Sequence, residues 1–560
     1  MDYRKIYEDW LKSDFLDEDS KNELKSIEKN EEEIKDRFYK DLEFGTAGLR
    51  GIMGVGTNRM NPYVIKRASE GLARTIINHG KEAVKKGIVI AHDVRFNSHE
   101  FSIIAARVFA SRGIKTYLFD DIRPTPMLSY AVRYLNTQAG IVITASHNPK
   151  IYNGYKVYWD KGSQILSDIA DEILENIKES SYDLKDLITY EEAVKKGLIE
   201  IISKDLDESY YKETLKKQIS NDIDKDIEVV YSPLNGTGNY PVRHVLKERG
   251  FKNIRVVKEQ ENPDPTFATV GYPNPEDVKA FKLAEEYGKK YNSDLIIATD
   301  PDCDRVAMLG RKKDGTYYAF NGNQTGAMLI YYILHGLREA EDLPDNGAIV
   351  KSIVTGKLGQ RIAMDFGIQT FETLTGFKNI CNLPNIWDKT KEHNFIFGYE
   401  ESIGYVYGDH VRDKDAVVST MMIVEMAAYY KKRSKSLVEL LNDIYKEYGY
   451  YKEHLTSLVL EGIEGSDRIK RMMKDFREKS YEKFAGIPVK SQEDLLKDEN
   501  LKANVLIYRL SDGSWFALRP SGTEPKIKFY IYTKNENEKL AEETLSKLKE
   551  DIEEKLNSVK

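Results

Sequence analysis

The chain has 560 residues, 41% of them apolar, and its 84 Lys and Arg against 91 Asp and Glu give a formal net charge of −7. This length is too great for one hydrophobic core and indicates roughly three to five domains. The negative charge gives no support to a nucleic-acid partner, and Cys303 and Cys381 are too few for a disulfide framework or a structural zinc site. With no signal-peptide pattern and no apolar window near the ~20 residues of a membrane span, we expect a cytoplasmic protein without a membrane partner.

The N-terminal segment predicts a helix and then a glycine-rich loop. Apolar residues at helical spacing among charged ones favour one amphipathic helix over 20–41. The helix leads into Phe44–Gly51, where glycines free the backbone and Arg50 offers a bidentate donor, so the loop suits an anion. A plain connection is the alternative for this loop taken alone.

Several short apolar strands end directly in polar loops, where ligands of open α/β sheets bind. The strand at 140–143 leads into Thr144–Pro149 and so places Ser146 at such an edge. Asn153 and Gly154 predict a turn, with Lys156 in the extended segment that follows. Taken alone, Ser146 is typical of a hydrogen-bonding turn residue and Lys156 of a surface lysine. The strands with this pattern are 87–91, 140–143, 295–298 and 394–397.

Three aspartates at alternating positions follow the strand at 295–298. Residues two apart in extended backbone face the same side, so the carboxylates of Asp300, Asp302 and Asp304 are predicted to converge. Such an oxygen-only set favours a hard divalent cation, Mg²⁺ where a phosphate supplies another oxygen. A calcium EF-hand is excluded because Arg305 and Arg311 stand where glycine and a carboxylate are required. Helix capping is the structural alternative.

Two further loops have the composition of ligand-binding segments. Gly398–Gly404 carries Glu400 and Ser402 between glycines, which suits sugar hydroxyls, although paired glutamates are usually surface residues. After about residue 449, short strands and charged helices predict a smaller α+β domain. Within it, Arg519–Lys528 combines arginine, two hydroxyls, a glycine and two lysines, which favours a phosphate cradle over a plain hairpin turn.

Taken together and in this order, these motifs resemble the α-D-phosphohexomutase superfamily over essentially the whole chain. They are similar to its phosphoserine loop (Thr144–Pro149), metal loop (Asp300–Arg305), sugar loop (Gly398–Gly404) and phosphate-binding loop (Arg519–Thr523). Three segments look most like the phosphoglucomutase-2/phosphopentomutase-like subgroup, which includes bacterial phosphoglucomutases. These are Phe44–Gly51, Thr375–Lys378 and Gly398–Tyr405.

The resemblance implies an α/β fold of four domains around a central cleft. Three would be related α/β domains with mixed sheets, and the smaller C-terminal one an α+β domain of TATA-binding-protein-like shape. The predicted domains are 1–210 with the phosphoserine loop, 211–318 with the metal loop, 319–446 with the sugar loop and 447–560 with the phosphate-binding loop.

The resemblance also implies roles for individual residues. Lys528 stands where many relatives have arginine, and Tyr405 where some phosphomannomutase relatives have histidine, which counts against that branch. The implied catalytic residues are Ser146, as the phosphorylated serine, with Lys378, Arg50, Lys156 and His147. The implied substrate-binding residues are Thr375, Gly376, Glu400, Ser402, Arg305, Arg519, Ser521, Gly522, Thr523 and Lys528. The implied metal ligands are Ser146, through its phosphate, and Asp300, Asp302 and Asp304.

The implied activity is a phosphosugar mutase that interconverts hexose 1-phosphate and 6-phosphate, with glucose preferred. The reaction would pass through a phosphoserine enzyme and a bisphosphorylated sugar, with one Mg²⁺ per chain and a sugar bisphosphate such as glucose 1,6-bisphosphate as activator. We expect a monomer or homodimer. The alternatives are a phosphopentomutase acting on ribose or deoxyribose 1-phosphate, a phosphomannomutase, and a non-catalytic phosphosugar-binding protein.

Overall fold

A computed structural model describes residues 2–45, 48–460, 462–499, 501–521 and 526–559. The chain divides into two compact units, one of residues 1–322 with 377–436 and the other of residues 323–376 with 437–560. Within the described ranges, none of the helices combines the length and apolar character that a membrane span requires.

The N-terminal half alternates helices with short strands. Up to residue 215 the elements are α1 (Tyr3–Lys12), α2 (Glu18–Ser26), α3 (Glu31–Phe38), β1 (Phe44–Gly45), β2 (Gly48–Ile52), α4 (Pro62–Asn78), α5 (Lys81–Lys86), β3 (Ile88–His92), α6 (Ser98–Ser111), β4 (Thr116–Phe119), α7 (Thr125–Tyr134), β5 (Ala139–Ile143), β6 (Tyr152–Trp159), α8 (Ser167–Lys178), α9 (Tyr190–Lys195), β7 (Ile199–Ile202) and α10 (Lys204–Leu215). They are followed by β8 (Val229–Ser232), α11 (Asn239–Glu248), β9 (Ile254–Val256), α12 (Lys258–Glu261), a 3₁₀ turn (Val278–Phe281), α13 (Lys282–Tyr291), β10 (Leu295–Thr299), β11 (Val306–Arg311) and β12 (Tyr317–Ala319).

The C-terminal half changes from alternating elements to longer strands. Its elements are α14 (Gly322–Glu339), β13 (Gly347–Ser352), α15 (Leu358–Asp365), β14 (Gln369–Thr373), α16 (Phe377–Thr390), β15 (Asn394–Glu400), β16 (Gly404–Tyr407), α17 (Ala416–Lys432), α18 (Leu437–Tyr448), β17 (Tyr450–Val459), α19 (Gly462–Glu478), β18 (Lys483–Phe484), β19 (Ile487–Asp494), a 3₁₀ turn (Leu495–Lys497), β20 (Leu506–Leu510), β21 (Trp515–Pro520), β22 (Lys526–Asn535) and α20 (Glu538–Ser558).

The first unit contains two mixed sheets. One has the strand order β1-β2-β6-β5-β3-β4-β7, with β5, β3, β4 and β7 parallel and β6, β2 and β1 antiparallel. The other has the order β12-β11-β10-β8-β9, with β10, β8 and β9 parallel. Strands β3, β5 and β10 are buried throughout. Their carboxyl ends therefore deliver polar loops from a fixed core.

The same unit also holds the antiparallel hairpin of β15 and β16, in which Glu400 pairs with Gly404. The turn between these strands is the predicted sugar loop. Helix α17 begins at Ala416, and the Asp415 side chain caps it by accepting from the N–H groups of Val417 and Val418. This cap fixes the loop that follows β16.

The second unit pairs β13 with β14 in parallel and contains an antiparallel sheet of order β17-β22-β21-β20-β19-β18. Apolar residues of α19 and α20, such as Phe476 and Ile552, pack with Phe516 of β21 in one core. This confirms the predicted C-terminal α+β architecture. The predicted domain boundaries stay predictions.

Three local predictions need correction. The helix over 20–41 is two helices, α2 and α3, because the Asn30 side chain accepts from Glu33 N–H and starts a new helix. Asn153 and Gly154 lie inside strand β6 and form no turn. The predicted loop 44–51 contributes two paired strands, β1 and β2, and its residues Thr46 and Ala47 lie outside the described residues.

Candidate active site

The Ser146 turn lies at the end of buried strand β5. Ser146 is 3% exposed and adopts a left-handed backbone conformation, φ 53°. Its N–H donates to Thr144 Oγ1 at 2.8 Å, and Thr144 Oγ1 donates to Asp93 Oδ2 at 2.6 Å. Its own Oγ donates to Asp300 Oδ2 at 2.8 Å. The turn is therefore built to hold one hydroxyl against the acidic loop.

The buried side chain of Arg95 holds this turn in place through hydrogen bonds to backbone carbonyl oxygens. Arg95 donates to the carbonyl oxygens of Ser146, at 2.6 Å, and of Pro149 and Tyr152, each at 3.0 Å. Its Nε lies 3.3 Å from Asp93 Oδ2, and both side chains are buried. Arg95 thus donates to carbonyl groups in and at the end of a partly buried loop that has no regular secondary structure to pair them.

Replacing Arg95 with methionine is expected to destabilise the protein by about 3–5 kcal/mol, because Asp93 would remain as an unpaired buried charge. Turnover is expected to fall as well, since the Ser146 carbonyl loses its donor. Thermal unfolding and kcat measure the two effects. Arg107→Met is the matched control, because Arg107 also donates to loop carbonyls, those of Ile188 at 2.8 Å and Leu187 at 3.5 Å, and its loss should leave kcat unchanged.

Asp300, Asp302 and Asp304 form one buried cluster, with one oxygen from each lying within 4.8 Å of the others. The predicted convergence is present, but its cause differs, because the segment is a turn and not extended backbone. Cys303 is left-handed at φ 52°, and Asp300 Oδ1 accepts from the N–H groups of Asp304 and Arg305 at 3.1 and 3.0 Å. Asp300 therefore shapes the loop while its other oxygen faces Ser146.

Ammonium groups lie against the cluster. Lys156 Nζ is 2.6 Å from Asp302 Oδ2 and 3.3 Å from Asp304 Oδ2, so Lys156 is no surface lysine. Burial and the neighbouring carboxylates raise the pKa of Asp300 well above its ordinary value. Burial also disfavours the Asp302 carboxylate, but Lys156 outweighs burial and lowers the pKa of Asp302. Lys156 therefore stabilises the charge of Asp302, which burial alone would disfavour.

The donor set fits a hard divalent cation. Asp302 Oδ1 and Asp304 Oδ1 are buried and have no hydrogen-bond partner among the described residues. Such oxygens are costly unless a cation binds them. Cys303 belongs to the same loop but not to the cluster, and burial raises the pKa of its thiol well above the ordinary value. Oxygen-only ligands favour Mg²⁺ over softer metals.

The predicted sugar loop is tied to the acidic loop. Arg305 Nη1 donates to the Ser402 carbonyl at 3.2 Å, and Val306 N–H donates to the Ile403 carbonyl at 3.1 Å. Glu400 is buried at the end of β15. Tyr405, at the position of the histidine in some relatives, is also buried and donates to the Gly322 carbonyl at 3.1 Å. The structure thus brings Glu400, Ser402 and Arg305 beside the acidic loop.

The other predicted catalytic residues of this unit differ in exposure. Arg50 is exposed on β2 and donates to Asn148 Oδ1 at 3.3 Å. His147 Nδ1 lies 3.1 Å from Ser146 Oγ, and burial together with Arg305 and Arg50 lowers the pKa of His147 well below its ordinary value. Lys378 lies on α16. Burial lowers the pKa of its ammonium, although the negative charge of Asp168 acts in the opposite direction.

The remaining predicted residues lie in the second unit. Thr375 and Gly376 follow β14, and Gly376 is left-handed at φ 104°. Arg519 and Lys528 pair in register between β21 and β22, and Ser521 N–H donates to the Lys526 carbonyl at 2.8 Å. Strands β21 and β22 are therefore antiparallel on either side of this segment, and the phosphate cradle stays a prediction. Gly522 and Thr523 lie outside the described residues.

Sequence reasoning missed three polar residues that contact either the acidic cluster or the serine turn. Thr125 Oγ1 donates to Asp302 Oδ2 at 2.9 Å, Arg95 holds the serine turn, and Lys414 Nζ lies 3.2 Å from Asp304 Oδ2. Burial disfavours the Lys414 ammonium, but Asp304 and Asp413 outweigh burial and raise the pKa of Lys414. Each of the three lies in a polar segment beside a strand or helix end, which is the signal that pointed to Ser146.

Models of known protein families match most of the chain. Family models described as phosphoglucomutase/phosphomannomutase α/β/α domains I, II and III match residues 41–183, 208–314 and 321–448, and the model of the C-terminal domain matches 470–547. The chain belongs to the phosphoglucomutase/phosphomannomutase family. This confirms the predicted superfamily, its four-domain architecture and its enzyme class, the phosphosugar mutases.

Relatives over most of the chain are named phosphoglucomutase. One from Staphylococcus haemolyticus is 40% identical over 88% of this chain and 90% of its own length, and one from Staphylococcus epidermidis is 36% identical over 93% and 96%. Solved structures share the fold. A putative phosphomannomutase from Thermus thermophilus has a TM-score of 0.69 at 23% identity, covering 92% of this chain and 99% of its own. The phosphoprotein parafusin (phosphoglucomutase) from Paramecium, in an open form, has a TM-score of 0.68 at 18% identity, covering 93% and 95%.

Proposed function

We propose that this phosphosugar mutase interconverts hexose 1-phosphate and 6-phosphate, prefers glucose, and uses Ser146 to carry the phosphoryl group. The observation that carries the proposal is the 2.8 Å hydrogen bond from Ser146 Oγ to Asp300 in a buried acidic cluster. A protein that only binds phosphosugars has no use for a buried hydroxyl that donates to one carboxylate of an acidic cluster. The relatives named phosphoglucomutase support the choice of glucose.

In the proposed cycle, phosphorylated Ser146 donates its phosphoryl group to the free hydroxyl of a bound sugar monophosphate. The P–O bond to Ser146 breaks and a P–O bond to the sugar forms. The sugar hydroxyl gives its proton to Lys378, and the released Ser146 oxygen takes up a proton from solvent. The bisphosphate then presents its other phosphate: the P–O bond to that sugar oxygen breaks and a P–O bond to Ser146 Oγ forms. Lys378 gives its proton to the freed sugar oxygen, and the Ser146 proton passes to solvent. Arg50 and Lys156 stabilise the negative charge on the transferred oxygens.

The chain's contribution to metal binding is the preorganised carboxylate cluster. Asp300, Asp302 and Asp304 would hold one Mg²⁺, with a phosphoserine oxygen as a further ligand. When bound, the cation withdraws charge from the phosphoryl oxygens. We also propose a sugar bisphosphate such as glucose 1,6-bisphosphate as activator, because a dephosphorylated Ser146 must be phosphorylated before the cycle can start.

Substrate binding is assigned to two groups of residues in this proposal. Glu400 and Ser402 bind the sugar hydroxyls, and Arg305 supports their loop. The non-reacting phosphate is bound by the second group, which is Thr375, Gly376, Arg519, Ser521, Gly522, Thr523 and Lys528. We further propose that the chain has four domains, 1–210, 211–318, 319–446 and 447–560. We also propose that the protein is cytoplasmic and is a monomer or a homodimer.

The substrate choice is tested by comparing kcat/KM for the 1-phosphates of glucose, mannose, ribose and deoxyribose, with Mg²⁺ and the matching bisphosphate. Glucose 1-phosphate is expected to exceed the others by about tenfold or more, because a mismatched hydroxyl leaves a polar group of the site unpaired. A higher value for a pentose contradicts the choice of glucose but not the phosphoserine mechanism. Binding of all four without turnover would instead indicate a non-catalytic binding protein.

A further inference from the structure

Lys414 contacts the acidic cluster from a different element than Lys156. Its ammonium lies 3.2 Å from Asp304 Oδ2 and 2.9 Å from Asp413 Oδ1, in a buried position. The same oxygen of Asp304 lies 3.3 Å from Lys156 Nζ. Two cations therefore share one carboxylate oxygen. Asp304 Oδ1 has no hydrogen-bond partner among the described residues, and Arg305 Nε lies 3.8 Å from it.

Asp413 connects Lys414 back to strand β6. Its Oδ2 accepts from Tyr158 OH at 2.6 Å and from Gln164 Nε2 at 2.9 Å. Tyr158 and Lys156 are two residues apart on β6, so their side chains leave the same face of the strand. The contacts form a closed ring in which the position of Asp304 depends on both lysines.

The aliphatic part of Lys414 lies beside the sugar loop. A Cβ atom at Gly404 would lie only 2.4 Å from Lys414 Cδ, so this side chain occupies the space that a larger residue there would need. Asp415 N–H also donates to the Tyr405 carbonyl at 2.8 Å. Lys414 is thus packed between the first residues of β16 and the acidic loop.

We propose that Lys414 is a positioning residue that moderates the affinity of the three aspartates for a divalent cation and holds Asp304 in place beside the sugar loop. The inference rests on the proposed function, because cation and phosphosugar are the ligands that report on it. An ammonium at this distance reduces the negative potential that a cation bound to Asp304 experiences. It also limits the repulsion that the cluster exerts on an incoming phosphate dianion.

The test measures Mn²⁺ binding, by electron paramagnetic resonance or calorimetry, and kcat/KM at saturating Mn²⁺. Lys414→Met keeps most of the side-chain volume and removes the charge, so Mn²⁺ is expected to bind about tenfold more tightly. In contrast, kcat/KM is expected to fall by roughly 10²-fold, because Asp304 loses one of the groups that orient it. A residue that only supports folding would not tighten cation binding.

Asp413→Asn is expected to change the Mn²⁺ affinity in the opposite direction. It tests the proposal even if Lys414→Met does not fold. Asparagine still accepts from Tyr158, but the Lys414 charge then acts on Asp304 alone, so the Kd for Mn²⁺ is expected to rise several-fold. The double variant should return Mn²⁺ affinity towards that of the wild type, which a double-mutant cycle quantifies.

Lys431→Met is the matched control, because Lys431 also bridges two aspartates, at 2.7 Å from Asp294 and 3.5 Å from Asp224. It should change neither Mn²⁺ affinity nor turnover. If folded Lys414→Met binds Mn²⁺ with an unchanged or higher Kd, the inference is wrong. Absence of mutase turnover in the wild type would overturn the proposed function instead, so the two failures are distinct.

Discussion

Replacing Ser146 with alanine is expected to abolish both the phosphorylated form of the protein and the mutase reaction. The substitution removes the hydroxyl that donates to Asp300 Oδ2 at 2.8 Å, which is the phosphoryl carrier of the proposed cycle. Turnover should fall by about 10⁴-fold or more, because no covalent route remains between the two sugar positions. Intact mass spectrometry after incubation with glucose 1,6-bisphosphate, together with a coupled assay of glucose 6-phosphate formation, measures both effects.

Ser102→Ala is the control for this experiment. Ser102 is also buried, and its hydroxyl donates to the His99 carbonyl at 2.7 Å within helix α6. It should retain phosphorylation and turnover. Serine and alanine bear a similar steric cost in the left-handed conformation of residue 146, so the unfolding temperature of the Ser146 variant should stay close to that of the wild type. Interconversion by that variant would show that the phosphoryl group does not pass through Ser146.

The sequence was most informative where short buried strands end in polar loops. The strand predicted at 140–143 is β5, Ala139–Ile143, and the strand predicted at 295–298 is β10, Leu295–Thr299. Apolar runs of this kind identify buried strands, and the polar residues after them mark the edge of the sheet where ligands bind. The contact between Ser146 and Asp300 follows from bringing two such edges together.

The contacts around the acidic loop were not predictable from local patterns. Asp304 meets Lys414, and Ser146 meets Arg95, across long separations in the chain. Only tertiary packing sets such pairs. The convergence of the aspartates was predicted for the wrong reason, since it depends on the left-handed backbone of Cys303 and not on strand geometry. Local rules therefore located the site but not its charge balance.

Replacing Asp302 with asparagine is expected to remove the stabilisation by Mg²⁺ and most of the turnover. Asparagine still accepts the hydrogen bond from Thr125, which is 2.9 Å in the wild type, but it removes the carboxylate charge and changes the buried Oδ1 that has no partner among the described residues. Mg²⁺ at about 100 times its Kd stabilises a protein by about 2.7 kcal/mol, and this increment should be absent from thermal unfolding of the variant. Turnover should fall by about 10³-fold through lost charge stabilisation in the transition state.

Two comparison variants separate the loss of a cation ligand from the loss of an ion pair. Asp314→Asn changes an exposed turn carboxylate that accepts from Thr316 N–H at 2.9 Å and should leave both readouts unchanged. Lys156→Met removes the ammonium that lies 2.6 Å from Asp302 Oδ2 but leaves all three carboxylates in place. It should lose turnover and keep the stabilisation by Mg²⁺. Asp302→Asn lowers the negative charge of the cluster and replaces one carboxylate ligand with an amide, so Mg²⁺ should bind it much more weakly. If Mg²⁺ still stabilises Asp302→Asn as it stabilises the wild type, the cation binds elsewhere in the chain.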